Sequence, residues 1–215
     1  MKKIMFNDRY GLTLAVLEGR KTMTRRIVQD GTPLGNWKET IKKSRFKVGE
    51  VVAVAQSYKD AGIRPDMTIT HHRWVKISPV YRAPRRLISD RHFVIDDAGY
   101  KNKMFVKADL MPHQIRIKNV RVERLKDISD EDCIREGIEE DAPYYWVPVN
   151  KSLPNWRKTK EGVSDMYPHE RDGKAYPHFW DSPRKAFAAL IDKLSGKGTW
   201  ERNPWVFVYE FELIS

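Results

Sequence analysis

Apolar residues recur at helical spacing in three short segments of the chain, with polar residues on the other side of each segment. The first segment, residues 12–19, ends at a glycine, which commonly terminates a helix. The second, at about 129–137, begins with a serine that can cap free amides and with acidic residues that suit a helix start. The third runs from Ser182 and Pro183 to Gly196. The pattern therefore predicts three helices.

Four other segments carry strand patterns. Residues 46–55 combine a tight turn at Gly49 with a valine-rich run, which is typical of a strand that is covered on both faces. Residues 104–107 and the alternating stretch 115–125 add strand signals, and residues 205–213 alternate in the same way. Strands separated by short helices, without regular βαβ alternation, indicate an α+β fold around a curled sheet.

Two long segments between these elements are interpreted as insertions into a single domain of residues 1–215. Residues 57–102 are basic and contain three prolines, and residues 141–181 are rich in aromatic and basic residues with little periodicity. Loops of this length usually serve binding or are partly mobile. Aromatic residues interleaved with cations suit single-stranded nucleic acid, and they equally suit a loop anchored by its own aromatic side chains.

The charge of the chain favours a polyanionic partner. Its 215 residues include 40 Lys and Arg against 29 Asp and Glu, which gives a formal charge of +11. Clustered cations bind phosphates with release of counterions. A basic protein that has no polyanionic partner could carry the same net charge, so the charge alone does not decide between these two interpretations.

Other residue classes narrow the chemistry further. Cys133 is the only cysteine, so an internal disulfide is excluded and a thiolate zinc site is not expected. The histidines, including the pair His71 and His72, lack metal-ligand spacing, and there is no glycine-rich phosphate loop. The sequence thus predicts no metal site and no cofactor. Without a signal-like or membrane-spanning apolar run, we expect a cytoplasmic protein with no membrane partner.

The most specific local pattern is Gly19-x-Lys21-x-x-Thr24-x-Arg26, directly after the first predicted helix. In a helical turn, this spacing would bring the lysine and the threonine hydroxyl to one face. Arg25 and Arg26 add positive charge, which together with burial would push the lysine toward its neutral form. A neutral lysine beside a hydroxyl can act as a general base for a nucleophile. The alternative is a solvated basic turn that contacts phosphates.

This motif, followed by FKVGEVVAV and a closing apolar strand, resembles the ASCH family of PUA-like barrels, whose hallmark is Gly-x-Lys-x-x-Glu-x-Arg beside a cleft. Thr24 stands where many members carry glutamate. A branch that removes the acetyl group from acetylcytidine departs in the same way, and its motif is matched by Gly19, Arg20, Lys21, Thr22, Thr24 and Arg26. The resemblance implies a PUA-like, mostly antiparallel β-barrel with about three surrounding helices. It covers about half of the chain and neither insertion, and longer members of this kind resemble phage and prophage proteins.

The resemblance also implies a set of site residues. In the deacetylating branch, the lysine and threonine work with a glutamate on a later short helix. Lys21, Thr24 and Glu136 are therefore the implied catalytic residues, and Glu131 remains an alternative for the glutamate. Three neighbouring arginines are the predicted ligand-binding or nucleic-acid-binding cations: Arg20, Arg25 and Arg26.

A second candidate binding feature precedes the last predicted strand. Trp200 and Trp205 flank Asn203 and Pro204, a pair that favours a rigid turn. The two indoles could stack a base, so Asn203 and Trp205 are predicted to contact a ligand. The alternative is that these tryptophans close the open end of a barrel.

These observations favour binding of RNA or another nucleobase-containing ligand, a nucleoside or nucleotide, in a basic cleft. The alternative is a metal-independent amidohydrolase that deacylates acetylcytidine or a similar nucleoside. A ribonuclease is disfavoured, because the sequence shows no convincing acid cluster or histidine pair for phosphodiester chemistry. The sequence leaves the oligomeric state open.

Overall fold

The computed structural model describes residues 1–65, 74–76, 99–141, 144–147, 169–171, 174–176 and 179–214. No helix in this part of the chain is long and apolar enough to cross a membrane. Its α-helices are α1 (Leu12–Leu17), α2 (Trp37–Lys42), α3 (Asp130–Arg135), α4 (Pro183–Ser195) and α5 (Thr199–Arg202). Three single turns of 3-10 helix span Lys103–Phe105, Ala108–Leu110 and Leu125–Asp127.

The strands are short apart from two long ones near the middle and the end of the chain. They are β1 (Lys2–Ile4), β2 (Met23–Ile27), β3 (Val51–Val54), β4 (Ile63–Pro65), β5 (Trp74–Lys76), β6 (Gln114–Arg124), β7 (Glu139–Asp141), β8 (Tyr144–Trp146), β9 (His169–Arg171), β10 (Lys174–Tyr176), β11 (Phe179–Trp180) and β12 (Trp205–Leu213).

Five strands form one mostly antiparallel sheet in the order β1-β3-β6-β12-β2. Strands β1 and β3 run parallel, with Lys2 opposite Val52. Strands β12 and β2 run antiparallel, with Val208 opposite Arg25. The predicted α+β class is therefore confirmed. Closure of the sheet into a PUA-like barrel stays a prediction.

The smaller sheets lie within the two predicted insertions. Strands β4 and β5 pair with each other, β9 pairs with β10, and β11-β8-β7 form a three-stranded sheet. The rest of residues 57–102 and 141–181 falls largely outside the described residues, so the predicted roles of the insertions stay predictions.

The chain divides into two compact units, and the first contains β1, β3, β4 and β5. It comprises Met1–Phe6, Val51–Ile115 and Ile214–Ser215. Its buried core consists of aliphatic side chains, one methionine and one tyrosine, namely Ala53, Ala55, Tyr58, Ile63, Val106 and Met111. The Tyr58 hydroxyl accepts the main-chain N–H of Lys107 at 2.9 Å, which satisfies a polar group at the edge of this core.

The second unit comprises Asn7–Glu50 and Arg116–Leu213 and contains all five α-helices, strands β2 and β12, and most of β6. Helix α4 packs against α3 and α5. Its buried Phe187 meets Trp200 edge-to-face, with ring centroids 6.2 Å apart. Burial of each such side chain stabilises the fold by roughly 1.5–3 kcal/mol. The single-domain interpretation of the chain stays a prediction.

Six of the seven predicted elements are present, and serine caps explain where two of the helices begin; β1, β2 and the strands of the smaller sheets were not predicted. The Ser129 side chain accepts the N–H of Asp132 at the start of α3, and Ser182 accepts the N–H of Lys185 at the start of α4. Helices α2 and α5 were not predicted: Thr40 is the only buried residue of α2, so this helix shows no apolar face, and α5 has four residues, which are too few to show a helical period.

The prediction of a strand at residues 104–107 is wrong. Lys103–Phe105 form a 3-10 turn instead. The Asn102 side chain accepts the N–H of Met104 at 3.0 Å, and this local bond competes with strand pairing.

Candidate functional site

The motif around Lys21 leads into strand β2 rather than into the helical turn that its spacing suggested. Lys21 lies in the segment before the strand, and Thr24 is paired with Tyr209 of β12. Successive side chains of a strand point to opposite faces. Arg25 therefore lies on one face of β2, and Thr24 and Arg26 lie on the other.

A buried ion pair joins this motif to the end of helix α3. Nζ of Lys21 donates to Oε2 and to the main-chain oxygen of Glu136, both at 2.6 Å. The two side chains are 2% and 6% exposed. The structure thus brings Lys21 together with Glu136, whereas Glu131, the alternative acid, is exposed. Because both charges have lost their hydration, each depends on the other for compensation.

Backbone geometry on both sides holds this pair in place. The N–H of Lys21 donates to the main-chain oxygen of Ala15 in α1 at 2.9 Å. Glu136 caps the C-terminus of α3, and Gly137 follows with a φ of 101°, a conformation that favours glycine. A Cβ at Gly137 would lie 3.6 Å from Cδ of Lys21. The sharp turn after α3 therefore lets the chain pass directly beside the lysine stem.

Arg25 shares the Glu136 carboxylate and contacts two further acids. Its Nη1 lies 3.1 Å from Oε1 of Glu136, and its Nη2 lies 2.7 Å from Oε1 of Glu123 and 2.8 Å from Oδ2 of Asp132. The Arg25 side chain is 1% exposed. Charge-assisted bonds to three carboxylates occupy its guanidinium, so Arg25 stabilises the unit from the interior and does not line a ligand surface.

Two more arginines extend this cluster and balance its charge. Arg121 contacts Glu123, Asp132 and Glu210, and Arg135 contacts Asp132 and Glu210. The cluster, called the charge network below, has four cations and four carboxylates: Lys21, Arg25, Arg121 and Arg135 with Glu123, Asp132, Glu136 and Glu210. Its formal charge is therefore zero.

The opposite face of β2 carries cations beside aromatic side chains. Thr24 lies opposite Tyr209, and Arg26 lies opposite Phe207. Thr24 and both aromatic residues are buried, whereas Arg26 and Arg45 are exposed. The N–H of Arg45 donates to the Tyr209 hydroxyl at 3.1 Å, which fixes the Arg45 backbone against this face.

Burial lowers the pKa of Lys21, because the ammonium group has lost its water. Glu136 opposes this shift through its charge and its hydrogen bond, while Arg26 and Arg25 add to it. Arg26 is an exposed residue, yet desolvation lowers the pKa of its guanidinium, Glu136 raises it and Arg45 lowers it. An arginine stays protonated at neutral pH in any case. The four groups Lys21, Arg26, Arg45 and Glu136 therefore act within one electrostatic field.

Arg20 lies outside the charge network and faces acids. It is exposed, with Nη2 2.6 Å from Oε2 of Glu18 and Nη1 3.8 Å from Oε1 of Glu139. These three residues, together with Leu14 and Glu140, help to line an open pocket of about 590 Å³. Three glutamates against one arginine make this pocket unsuited to a phosphate, so the predicted role of Arg20 has no support from its surroundings.

The residues predicted near the last strand have separate structural roles. Asn203 adopts a left-handed conformation with φ 47°, and its Oδ1 accepts the N–H of Lys126 at 2.7 Å. It therefore shapes the turn before β12. Trp205 packs against Trp37 with ring centroids 4.7 Å apart, and the Arg124 guanidinium lies 4.4 Å from the Trp205 ring centroid.

The sequence reasoning missed several residues of the site. Asp132 was interpreted only as a helix-start acid, and Glu123 was not singled out. Arg121 and Glu123 alternate on one face of β6. Charged residues at alternate positions of a strand are a signal for a paired charged face, and this signal could have located the charge network. Cys133 is buried and burial raises the pKa of its thiol to about 12, which fits a packing role.

No protein-family model, no curated protein and no solved structure matches this chain. The function is therefore argued from the geometry of the site itself. Within the part of the chain that the structure describes, no group of three or more His, Cys, Asp or Glu side chains could hold a metal ion.

The buried pair should contribute far more stability than an exposed pair of equal length. Lys21→Met leaves Glu136 without one of its cations, and we expect it to lower the free energy of unfolding by ~3 kcal/mol. Lys42→Met is the matched control, because Lys42 and Glu39 are also 2.6 Å apart but are 70% and 49% exposed; we expect a loss of ~0.5 kcal/mol or less. Urea unfolding measures both, and equal losses would contradict the assignment.

The lowered pKa of Lys21 predicts a dependence of stability on alkaline pH. Between the lowered value and the ordinary 10.5, the unfolded chain binds a proton at Lys21 that the folded chain has released. The free energy of unfolding contributed by this residue therefore rises with pH across that window. Unfolding curves of the wild type and of Lys21→Met, measured as a function of pH, isolate the effect, since Tyr209 and Cys133 titrate in both proteins. A difference that is constant or falls with pH would exclude a lowered pKa.

Proposed function

We propose that this protein binds RNA or another nucleobase-containing ligand at the Thr24–Arg26 face of strand β2. One observation carries the proposal: the groups that a ligand can reach are cations, whereas the potential nucleophile and base are enclosed. Arg26 and Arg45 are exposed, and Thr24 and Lys21 are 5% and 2% exposed. Phosphate oxygens and base edges are the groups that such arginines bind.

Part of the positive charge of the chain lies in the second unit. This unit has 27 Lys and Arg against 23 Asp and Glu, a formal charge of +4 out of the total of +11, and the charge network contributes nothing to it. Strand alternation places Arg26 on the face of β2 opposite Arg25, where Arg26 is exposed, although it still interacts with Glu136. Exposed cations gain affinity for phosphates by releasing counterions.

Deacylation of an acylated cytidine is the second candidate, and the lowered pKa of Lys21 favours it. In this reaction a neutral Lys21 would accept the proton of the Thr24 hydroxyl, and the threonine oxygen would attack the acyl carbonyl. As the C–N bond breaks, the proton taken by Lys21 would pass through Glu136 to the departing cytosine amine, and water would then hydrolyse the acyl-threonine and release the carboxylic acid. Against this candidate, Lys21 donates hydrogen bonds to two oxygens of Glu136, which is the arrangement of a protonated ammonium group.

Arg26→Ala tests the binding proposal through the salt dependence of affinity. For a labelled single-stranded RNA, we expect log Kd to rise with log salt in the wild type, and the slope to fall by about 1 when Arg26 is removed. Arg116→Ala is the matched control, because Arg116 is also an exposed arginine on a strand of the same unit and contacts Glu212 at 3.4 Å. Titrations by fluorescence anisotropy at several salt concentrations measure the slope. Absence of salt-sensitive binding in the wild type, or equal effects of the two changes, would refute the proposal.

Incubation with acetylcytidine, followed by chromatography, tests the second candidate. We expect no release of cytidine from the wild type, because Lys21 is held as a donor to Glu136. Release that disappears in Thr24→Val and persists in Arg116→Ala would replace the binding function with hydrolysis at this site. Thr24→Val keeps the branched shape of the side chain and replaces the hydroxyl with a methyl group, so it removes the nucleophile at nearly constant volume.

A further inference from the structure

We propose that Trp37 and Trp205 form a stacking platform for one base of a single-stranded nucleic acid, continuous with the Arg26 site. The proposal rests on the proposed binding function and adds the form of the ligand. It concerns Trp37, Arg124 and helix α2, to which the sequence patterns gave no role.

The platform and the Arg26 site share one face of the β2–β12 ladder. Phe207 lies opposite Arg26 and Tyr209 lies opposite Thr24. The N–H of Val28 donates to the main-chain oxygen of Trp205, so the β2–β12 register continues from the pair of Ile27 and Val206 to the pair of Val28 and Trp205. Alternate residues of a strand lie on one face, so Trp205, Phe207 and Tyr209 follow each other along it at intervals of about 7 Å. Trp205 therefore lies on the same face of the ladder as Arg26, two residues before Phe207, which is paired with Arg26.

The two indoles and one arginine are arranged for stacking. The rings of Trp37 and Trp205 are tilted by 49° with centroids 4.7 Å apart, and Arg124 lies over the Trp205 ring. Trp37 is 42% exposed, an unusual degree for a tryptophan in contact with another ring. Trp205 thus packs against the Trp37 ring, and the exposed part of the Trp37 indole is the surface on which a base would stack. A rigid aromatic side chain held in this way stacks a base at little cost in conformational entropy.

Basic residues connect the platform with the Arg26 site. Helix α2 begins at Trp37, and the chain from residue 37 to 47 carries five Lys or Arg and one acid. Lys42 pairs with Glu39, and Nζ of Lys47 donates to the main-chain oxygens of Lys42 and Ser44. The other three cations are exposed, namely Lys38, Lys43 and Arg45. Arg45 lies at the end of this stretch and is close enough to Arg26 to lower its pKa. A phosphate backbone that passes from the platform to Arg26 would therefore meet cations along its course.

This arrangement selects single strands over duplexes. Stacking on an exposed indole requires a base that is free of its own neighbours, and such bases occur in single strands, loops and bulges. The ligand chemistry is thus an unpaired base with a flanking phosphate, which both RNA and single-stranded DNA provide.

A matched pair of variants in the full chain tests the platform. Trp37→Phe keeps an aromatic face, and Trp37→Leu keeps apolar packing on Trp205 but removes the π-face. The probes are a labelled oligouridine and the corresponding oligodeoxyuridine of about ten nucleotides, a typical site size for such surfaces. Uridine monophosphate and a duplex of equal length serve as the further ligands. We expect Trp37→Leu to weaken oligonucleotide binding about tenfold and Trp37→Phe to weaken it less than threefold.

The readouts separate the platform from the proposed function. Binding of uridine monophosphate at the Arg26 site should be the same in the wild type and in Trp37→Leu. Equal oligonucleotide affinity of the Leu and Phe variants would overturn the platform, and so would tighter binding of the duplex than of the single strand. If the wild type binds neither oligonucleotide nor mononucleotide, the proposed function itself fails. A preference between the RNA and DNA probes identifies which single strand the protein takes.

Discussion

The second unit depends on the ion pairs that the Glu136 carboxylate forms. One oxygen accepts from Lys21 and the other lies beside Arg25, so a single side chain at the end of α3 ties the segment before β2 to the strand itself. Lys21 depends on it more than Arg25 does, because burial of an ammonium group without a carboxylate costs several kcal/mol, whereas Arg25 also contacts Glu123 and Asp132. Around this centre, Asp132 and Glu123 complete the coordination of Arg25. The fold is thus specified here by charge pairing as much as by apolar packing.

The same centre explains why neighbouring residues of one short motif have different roles. Strand alternation turns Arg25 toward the carboxylates and Arg26 away from them. In sequence the two arginines are equivalent, but in the structure one is a buried structural cation and the other is an exposed one. We favour binding over catalysis, because Lys21 and Thr24 are almost fully buried whereas Arg26 is exposed.

The sequence predicted much of the framework because its signals are local. Serine caps, terminal glycines and apolar periods located α1, α3, α4, β6 and β12, and the motif directed attention to Lys21 and Glu136. The faces of β2 were not predictable from the spacing, since a lysine and threonine three residues apart fit a helical turn as well as a strand. Glu123 and Arg45 were missed because they reach the site through sheet pairing and through the Tyr209 hydroxyl, which are contacts between residues distant in sequence. Helix α2 was missed because Thr40 is its only buried residue, so it shows no apolar period.

The alternation along β2 also bears on which genetic changes this unit tolerates. A substitution in β2 changes one side chain on one face of the strand and leaves the other face unchanged. A one-residue deletion or insertion just before Met23 would instead exchange the faces, carrying Thr24 and Arg26 toward the acids and turning Arg25 outward. The carboxylates of Glu123, Asp132 and Glu136 would then face a threonine in place of their arginine. Length changes in this segment should therefore be far rarer among natural variants than changes of residue type.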